Sequence, residues 1–288
     1  ALFEAGWDIS RAEEKYPTLV KMGEVIEVPE GSESDKPYSK FMAIYAAMCR
    51  LHMKTFGTTQ RQIAAVCAKN HTHSVHNPWS QFRKPFTIDE VLASPPITYP
   101  ITLPMCAPLS DGAAAAILCT EEGLKRIGAD KSRCIKISAS VLRSFSPRRI
   151  DQPELHVGRL AAQQAYEIAG LGPQDMHVAE VHDASAMGEI IQAENLGLVE
   201  LGMGGPAAER GEFTIGGRIP INPSGGLESK GHPIGATGIG QLYELVTQLR
   251  GEAGARQVEG ARHAIQENGG GMQGVEEAAV AIHILSKS

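Results

Sequence analysis

Residues 222–238 read NPSGGLESKGHPIGATG, and this stretch says more about the fold than any other in the 288-residue chain. His232 lies there in a Gly-His-Pro turn, directly before a helix that the small residues 235–238 are expected to open. The partial positive charge of a helix N-terminus keeps such a histidine neutral, and a neutral histidine can take a proton from a thiol or support an oxyanion. On spacing alone, a glycine-rich loop with an incidental histidine is an equally good interpretation.

A second candidate site follows a short apolar strand predicted at residues 177–181. His182 stands at the end of that strand, directly before a helix predicted at residues 185–196. Because α/β enzymes keep their sites at this edge of a sheet, His182 is a candidate catalytic residue. Asp183 or Ser185 can cap the helix, and a core or capping role is the default interpretation for His182 by itself.

The third segment is QENGGGMQG, residues 266–274, between strands predicted at residues 261–267 and 277–285. Its consecutive glycines offer N–H groups suited to an oxyanion hole, although a tight hairpin also needs glycine. Glu267 ends an apolar strand, where burial raises the pKa of a carboxyl group. The candidates are Glu267 as a proton carrier and Gly269, Gly270 and Gly271 as backbone donors.

The composition favours a closely packed α/β enzyme. Hydrophobic residues make up 42% of the chain, charged residues 21% and aromatic residues 5%, and there are 31 glycines. A formal net charge of -6 argues against a nucleic-acid surface, and no apolar run is long enough to cross a membrane. The five cysteines are scattered without a CxxC pair, which predicts reduced thiols in a cytoplasmic protein.

Two other motifs are set aside. His71, His73 and His76 resemble a metal-binding run, but their spacing is uneven and no carboxylate or cysteine is nearby, so no metal site is predicted. Residues 235–240 (GATGIG) faintly resemble a dinucleotide loop, but a Gly-His-Pro turn precedes them instead of a strand.

Periodicity and turn residues predict strands alternating with helices, and hence a sheet covered by helices on both faces. A new unit starts near residue 131. Helices are further predicted at residues 39–56, 58–69, 158–169 and 236–249, strands at residues 1–7, 111–120 and 135–141, and mainly loop at residues 78–108.

Together these segments resemble the C-terminal half of the thiolase superfamily, in the branch of lipid-transfer (sterol-carrier type) and archaeal acetoacetyl-CoA thiolases. Residues 222–238 match that family's Asn-x-x-Gly-Gly and Gly-His-Pro motifs, and EVHDAS at residues 180–185 is similar to its His-Asp-x-Phe segment. Residues 38–78 and 110–118 resemble the lipid-transfer branch closely, so that the resemblance covers essentially the whole chain.

The resemblance implies an α/β thiolase fold, in which two similar βαβαβαββ halves stack as a layered αβαβα sandwich. Residues 1–130 would be the remainder of an incomplete N-terminal half with a loop insertion, and residues 131–288 the C-terminal half. ALFEAGW, residues 1–7, corresponds to a family strand that follows the helix of the nucleophilic cysteine. That cysteine is therefore expected to lie outside this sequence.

The implied activity is the cleavage or formation of a carbon–carbon bond in a β-ketoacyl-CoA, with coenzyme A as co-substrate and no bound cofactor. His232, His182 and Glu267 are the implied catalytic residues, since the usual second cysteine is replaced by Glu267 in one family position and by Ala184 in the other. Expected partners are a second copy of the chain and a small OB-fold, zinc-ribbon protein. Asn222 is assigned with the glycine turn to the oxyanion region, and Ser224 and Gly225 to the CoA channel.

Two rival functions stay open. One is a retro-aldolase that cleaves a β-hydroxyacyl-CoA of the sterol side-chain type without a cysteine. The other is a non-catalytic thiolase-like scaffold or lipid carrier, which the presence of both His182 and His232 weakens.

Overall fold

A computed structural model describes residues 12–287, and the strand predicted at residues 1–7 lies outside them. Their strands are β1 Pro96–Thr98, β2 Ile101–Thr102, β3 Ile135–Ser144, β4 Val178–Glu180, β5 His263–Gly270 and β6 Ala279–Lys287. Their helices are α1 Ala12–Lys21, α2 Lys40–Phe56, α3 Gln60–Ser74, α4 Ile88–Leu92, α5 Glu121–Ile127, α6 Val157–Ala169, α7 Ala186–Asn195, α8 Gly204–Glu209 and α9 Thr237–Arg250. None of these helices has the length and apolar character that a membrane span requires.

The main sheet is mixed and has the strand order β3-β6-β5-β4. β6 runs antiparallel to both of its neighbours, whereas β4 and β5 run parallel, with Glu180 opposite Gln266. Parallel strands bring their carboxyl ends to the same edge. The register therefore places His182, which follows β4, beside Glu267 on β5.

Helices cover both faces of this sheet, as the alternation of strands and helices predicts. Leu285 of β6 packs with Leu245 and Leu249 of α9 on one face. Its neighbour Ile284 packs on the opposite face, in the larger core that includes α6 and α7. The alternation of side chains along β6 thus separates two apolar layers, as the two-residue period of a strand requires.

The helix predicted at residues 58–69 is longer than its apolar periodicity indicates. It is α3, which begins after the capping box of Thr59 and Gln62 and continues to Ser74. Its last turns carry buried polar side chains, among them Asn70 and His73, which contact loops distant in sequence. Because these contacts replace the apolar stripe, the periodicity fades before the helix ends.

The strand predicted at residues 111–120 is wrong. In the described part of the chain this segment forms no strand ladder, and it is exposed along its length. Ile117 is 91% and Leu118 75% exposed. Apolar composition made the segment look like a buried strand, but a strand needs a neighbouring backbone to receive its hydrogen bonds.

Candidate active site

His232 is held as a neutral imidazole with one free ring nitrogen. Its Nδ1 lies 2.8 Å from Oγ1 of Thr237, in the first turn of α9. The Thr237 hydroxyl donates to the carbonyl of Pro233, so its oxygen accepts a hydrogen bond from Nδ1–H, and Nε2 carries the lone pair. Burial, reinforced by His182 and Lys230, lowers the pKa of His232 to about 3. His232 is thus prepared to act as a base.

His182 meets His232 edge to face, with ring centroids 5.0 Å apart and planes at 79°. The two histidines come from different loops, one after β4 and one before α9. Burial lowers the pKa of His182 as well, partly opposed by the charge of Glu277. The structure therefore brings together two neutral imidazoles that lie 50 residues apart in sequence.

Glu267 lies beside the backbone of His182. Its Oε2 accepts a hydrogen bond of 2.9 Å from the backbone N–H of His182. Its Oε1 is buried and has no hydrogen-bond partner within residues 12–287. Burial and the negative charge of Glu277 raise the pKa of Glu267 well above its usual range, which favours the protonated form of this carboxyl group.

The glycine segment forms a strand before it forms a turn. Gly269 and Gly270 belong to β5 and pair with Val280 and Ala279 of β6, and only Gly271 turns the chain, with φ of 68°. The N–H of Gly269 faces the carboxyl group of Glu267. Gly269 therefore lies beside Glu267, and its N–H is directed at that carboxyl group.

Asn222 fixes the start of the glycine-rich loop. It has φ of 52°, in the left-handed region that asparagine tolerates better than most residues. Its Oδ1 accepts from the N–H of Val181, and its Nδ2 donates to Glu189, both at 2.9 Å. Both polar atoms of the fully buried side chain are thus used to join the loop to the end of β4.

A groove of about 720 Å³ adjoins the His232 loop. Ser224, Lys230 and Thr237 line it, together with the exposed rings of Trp79 and Tyr243. Ser224 therefore lines this groove, and its hydroxyl donates to Glu180 at 2.8 Å. Gly225 lies instead against α3, where a Cβ would come within 2.5 Å of Ser74 Cβ.

Asp183 ties the two histidine loops together. Its Oδ1 accepts from the backbone N–H of Leu227 at 2.8 Å, and Asn70 donates to its Oδ2 at 3.1 Å. The proposed capping of α7 is wrong, because Ser185 makes no side-chain cap and Asp183 is directed to the other loop. Glycine is required at position 226, where a Cβ would lie 2.1 Å from the Asp183 carboxyl group.

Behind the site lies a buried polar cluster that the sequence did not predict. The Asn70 amide lies 3.1 Å from both Asp183 and Glu189, and 2.9 Å from Glu228. Lys69 lies 2.7 Å from Glu189 and donates to the Ile221 carbonyl as well. Burial and mutual repulsion raise the pKa values of Asp183 and Glu228 well above the usual range. No local spacing predicts contacts between such distant residues.

The five cysteines lie within the described residues, and the buried ones are not activated. Burial raises the pKa of Cys49, of Cys67 and, to about 12, of Cys106. The thiols of Cys67 and Cys106 donate to carbonyls of Pro104 and Thr102. A reactive cysteine needs a lowered pKa, so these thiols are unsuited to act as the nucleophile.

The histidines of the HTHSVH run have separate partners. His73 donates from Nδ1 to the Asn222 carbonyl and accepts on Nε2 from the N–H of Ile215. His71 packs edge to face against Phe86, with ring centroids 4.9 Å apart. His73 thereby supports the turn at Asn222, which gives it a structural role beside the site.

Comparison with known proteins identifies relatives of this arrangement. Residues 146–286 match the thiolase C-terminal domain-like family. Sterol carrier protein 2 of Oryctolagus cuniculus is 46% identical over 223 residues, which are 75% of this chain and 41% of that protein. An acetyl-CoA acetyltransferase of Methanothermobacter thermautotrophicus is 43% identical over 248 residues, 86% of this chain and 63% of that enzyme. The chain thus spans less than two thirds of either relative.

A solved structure described as the Ltp2-ChsH2(DUF35) aldolase has the same fold. It superposes with a TM-score of 0.71, over 86% of this chain and 63% of that chain. The sequence identity is 21%, so the likeness is one of fold.

Proposed function

This chain belongs to the thiolase superfamily and contains part of a thiolase fold, and we propose on that premise that it forms or cleaves the carbon–carbon bond of a β-ketoacyl-CoA. The observation that carries the proposal is the edge-to-face contact of two neutral histidines, His182 and His232, with the carboxyl group of Glu267 hydrogen-bonded to the backbone of His182. A base, a hydrogen-bond donor and an acid are the groups that this chemistry requires.

In the first step, Nε2 of His232 takes the proton of a cysteine thiol, and the thiolate attacks the 3-oxo carbon of the substrate. The thiol comes from a segment outside residues 1–288. An acyl-enzyme thioester forms as the bond between C2 and C3 breaks. This divides one difficult reaction into two easier ones.

The electrons of the broken bond pass to the thioester enolate. A ring N–H of His182 and backbone donors of the glycine segment stabilise the enolate oxygen, each contact being worth about 3–4 kcal/mol in sites of this kind. Glu267 then gives its proton to C2. Free CoA attacks the acyl-enzyme as its thiol proton passes to Glu267, and the cysteine thiolate that is released recovers its proton from His232 as the second acyl-CoA leaves.

The proposal is tested by intact-protein mass spectrometry of the full-length protein, before and after mixing with a panel of β-ketoacyl-CoAs. We expect an adduct with the mass of the acyl group, and free CoA should remove it. A protein that gains no acyl mass from any of these substrates, under conditions in which the substrates are stable, contradicts the proposal.

The cysteines supply the first prediction. Full-length C67A and C106A variants should keep the acyl adduct at the unchanged stoichiometry, because both thiols have raised pKa values and bind backbone carbonyls. Peptide mapping of the adduct is the measurement. An adduct mapped to either residue would show that the nucleophile lies within this chain after all.

Glu267 supplies the second prediction. Glu267→Gln keeps the shape of the side chain but removes its acidic proton, and should lower turnover by about 10²–10⁴-fold. The exchange of the C2 hydrogen of acetyl-CoA with deuterium, followed by NMR, should fall by a similar factor. The exposed Glu259 offers the control variant E259Q, which should exchange normally. Unchanged exchange in E267Q would remove the acid role.

The groove beside Ser224 suits the pantetheine arm, since it leads from solvent to the His232 loop. We further propose that a second copy of the chain and a small OB-fold, zinc-ribbon protein complete the working enzyme. The aldolase likeness supports such a partner only by analogy, because its description names two components. Assays should therefore include an OB-fold, zinc-ribbon protein.

A retro-aldolase is the second candidate, because retro-aldol cleavage needs no thiol. It therefore requires no nucleophile beyond the described residues, in which burial raises the pKa of both Cys67 and Cys106. His232 would then take the proton of the β-hydroxyl group, and Glu267 would protonate the enolate. Cleavage of a β-hydroxyacyl-CoA in the absence of free CoA, with no acyl adduct, would decide for this function.

A further inference from the structure

Glu277 lies just before β6 and reaches back into the site from the far side of the hairpin. Gln192 of α7 donates from Nε2 to its Oε1 at 2.8 Å. Nε2 of His156, which precedes α6, stands 3.2 Å from its Oε2. The side chain is only 17% exposed, so these two groups determine where its carboxylate lies.

The hydrogen bonds of His156 determine which nitrogen carries its proton. The backbone N–H of Gly158 donates to Nδ1 at 3.1 Å, and the Asn195 amide lies at the same distance from that atom. Nδ1 therefore carries no proton, and Nε2–H faces Glu277. Burial alone would raise the pKa of Glu277, but the neighbouring imidazole of His156 outweighs it and lowers this pKa to about 2.

Gly269 provides the space in which two acidic side chains approach each other. A Cβ at this position would lie 2.8 Å from Cγ of Glu277 and 3.1 Å from Oε1 of Glu267. Any larger residue would push the two groups apart. The glycine therefore brings a carboxylate with a low pKa close to a carboxyl group with a high one.

Other groups face Glu267 as well. After burial, Glu277 is the strongest influence on its protonation, and Asp183 acts in the same direction more weakly. The N–H of His182 acts in the opposite direction. Tyr45 of α2 approaches from a third side and is itself kept neutral, because burial raises its pKa.

We propose that Glu277 is a positioning residue whose negative charge, held across Gly269 by His156 and Gln192, keeps Glu267 in its protonated form. This inference rests on the proposed function, in which Glu267 gives a proton to the α-carbon. The proton that Glu267 loses is replaced by the thiol proton of the incoming CoA. Two carboxyl groups in one site are thus held in opposite protonation states. Glu277 stays ionised, whereas Glu267 gives up a proton and regains one.

The test is a pH titration of the protonated-carboxyl band in the infrared spectrum of the full-length protein, assigned to Glu267 as the band that E267Q removes. Glu277→Gln removes the negative charge and so lowers the pKa of Glu267. The band should then disappear at a pH about one unit lower, or more. In an assay, the loss of activity at high pH should shift downward in the same way. E277D, which keeps the charge, and E259Q should titrate like the unchanged protein.

Two results overturn the inference. One is an E277Q titration that coincides with that of the unchanged protein. The other is an E267Q infrared spectrum that matches that of the unchanged protein at pH 7, which would show that Glu267 is ionised there. This second result does not depend on whether E277Q folds. The infrared readout needs no substrate. If the band shifts as expected but the protein turns over no acyl-CoA, the proposed function is contradicted and the inference about Glu277 is still supported.

Discussion

Replacing His232 by alanine in the full-length protein is expected to slow acyl-enzyme formation by about 10²–10⁴-fold, the usual contribution of a positioned base. The Thr237 hydroxyl accepts a hydrogen bond from Nδ1–H, so the lone pair of Nε2 can accept the proton of the thiol. With a pKa of about 3, the imidazole is unprotonated throughout the physiological range. The acylation rate should therefore stay constant above pH 5 as far as His232 is concerned, and other groups should determine the pH profile.

Single-turnover mass spectrometry measures the acylation rate directly, without the thiolysis step. The matched control is H76A, since His76 is exposed and lies outside the site. Its acylation rate should equal that of the unchanged protein, and H232A should melt within a few degrees of it. Normal acylation by a folded H232A variant would refute the base assignment, and with it the proposed first step.

The sequence predicts the elements that carry the site because they are encoded locally. α2 follows the Ser39 cap and ends at Gly57, and α3 starts with its capping box at Thr59. Such signals lie within a few residues of one another, so they can be read without knowledge of the fold. The two histidines stand at the ends of recognisable elements for the same reason, and the register of β4 with β5 then brings His182 to Glu267.

The electrostatic environment of the site could not be predicted in this way. Glu277 affects Glu267 only because the hairpin folds back over Gly269, and its partner His156 comes from before α6. The sequence predicts Asp183 as a helix cap, because a cap involves only residues that are adjacent in the chain. In the structure its carboxyl group joins the loop at Leu227, 44 residues away. Pairings of this kind depend on tertiary contacts and leave no periodic pattern.

Lys69→Met is expected to lower the free energy of unfolding by about 3–5 kcal/mol, the usual cost of removing one partner of a buried ion pair. The Lys69 side chain is 4% exposed and that of Glu189 is completely buried, with 2.7 Å between Nζ and the nearer carboxylate oxygen. Methionine fills a similar volume, so the loss reports the charge and the hydrogen bond to Ile221 more than a cavity. Urea unfolding at pH 7 is the measurement, and Lys54→Met on the exposed side of α2 is the control.

The double variant K69M/E189Q separates the ion pair from the rest of the cluster. It leaves no unpaired buried charge, and should therefore recover part of the stability that K69M loses. Recovery will be incomplete, because Glu189 also accepts hydrogen bonds from Asn70 and Asn222. If K69M lowers the free energy of unfolding by less than about 1 kcal/mol, Glu189 must find another hydrogen-bond donor or become protonated at little cost. The cluster would then be adaptable, and the loops of His182 and His232 would owe their positions mainly to Asp183.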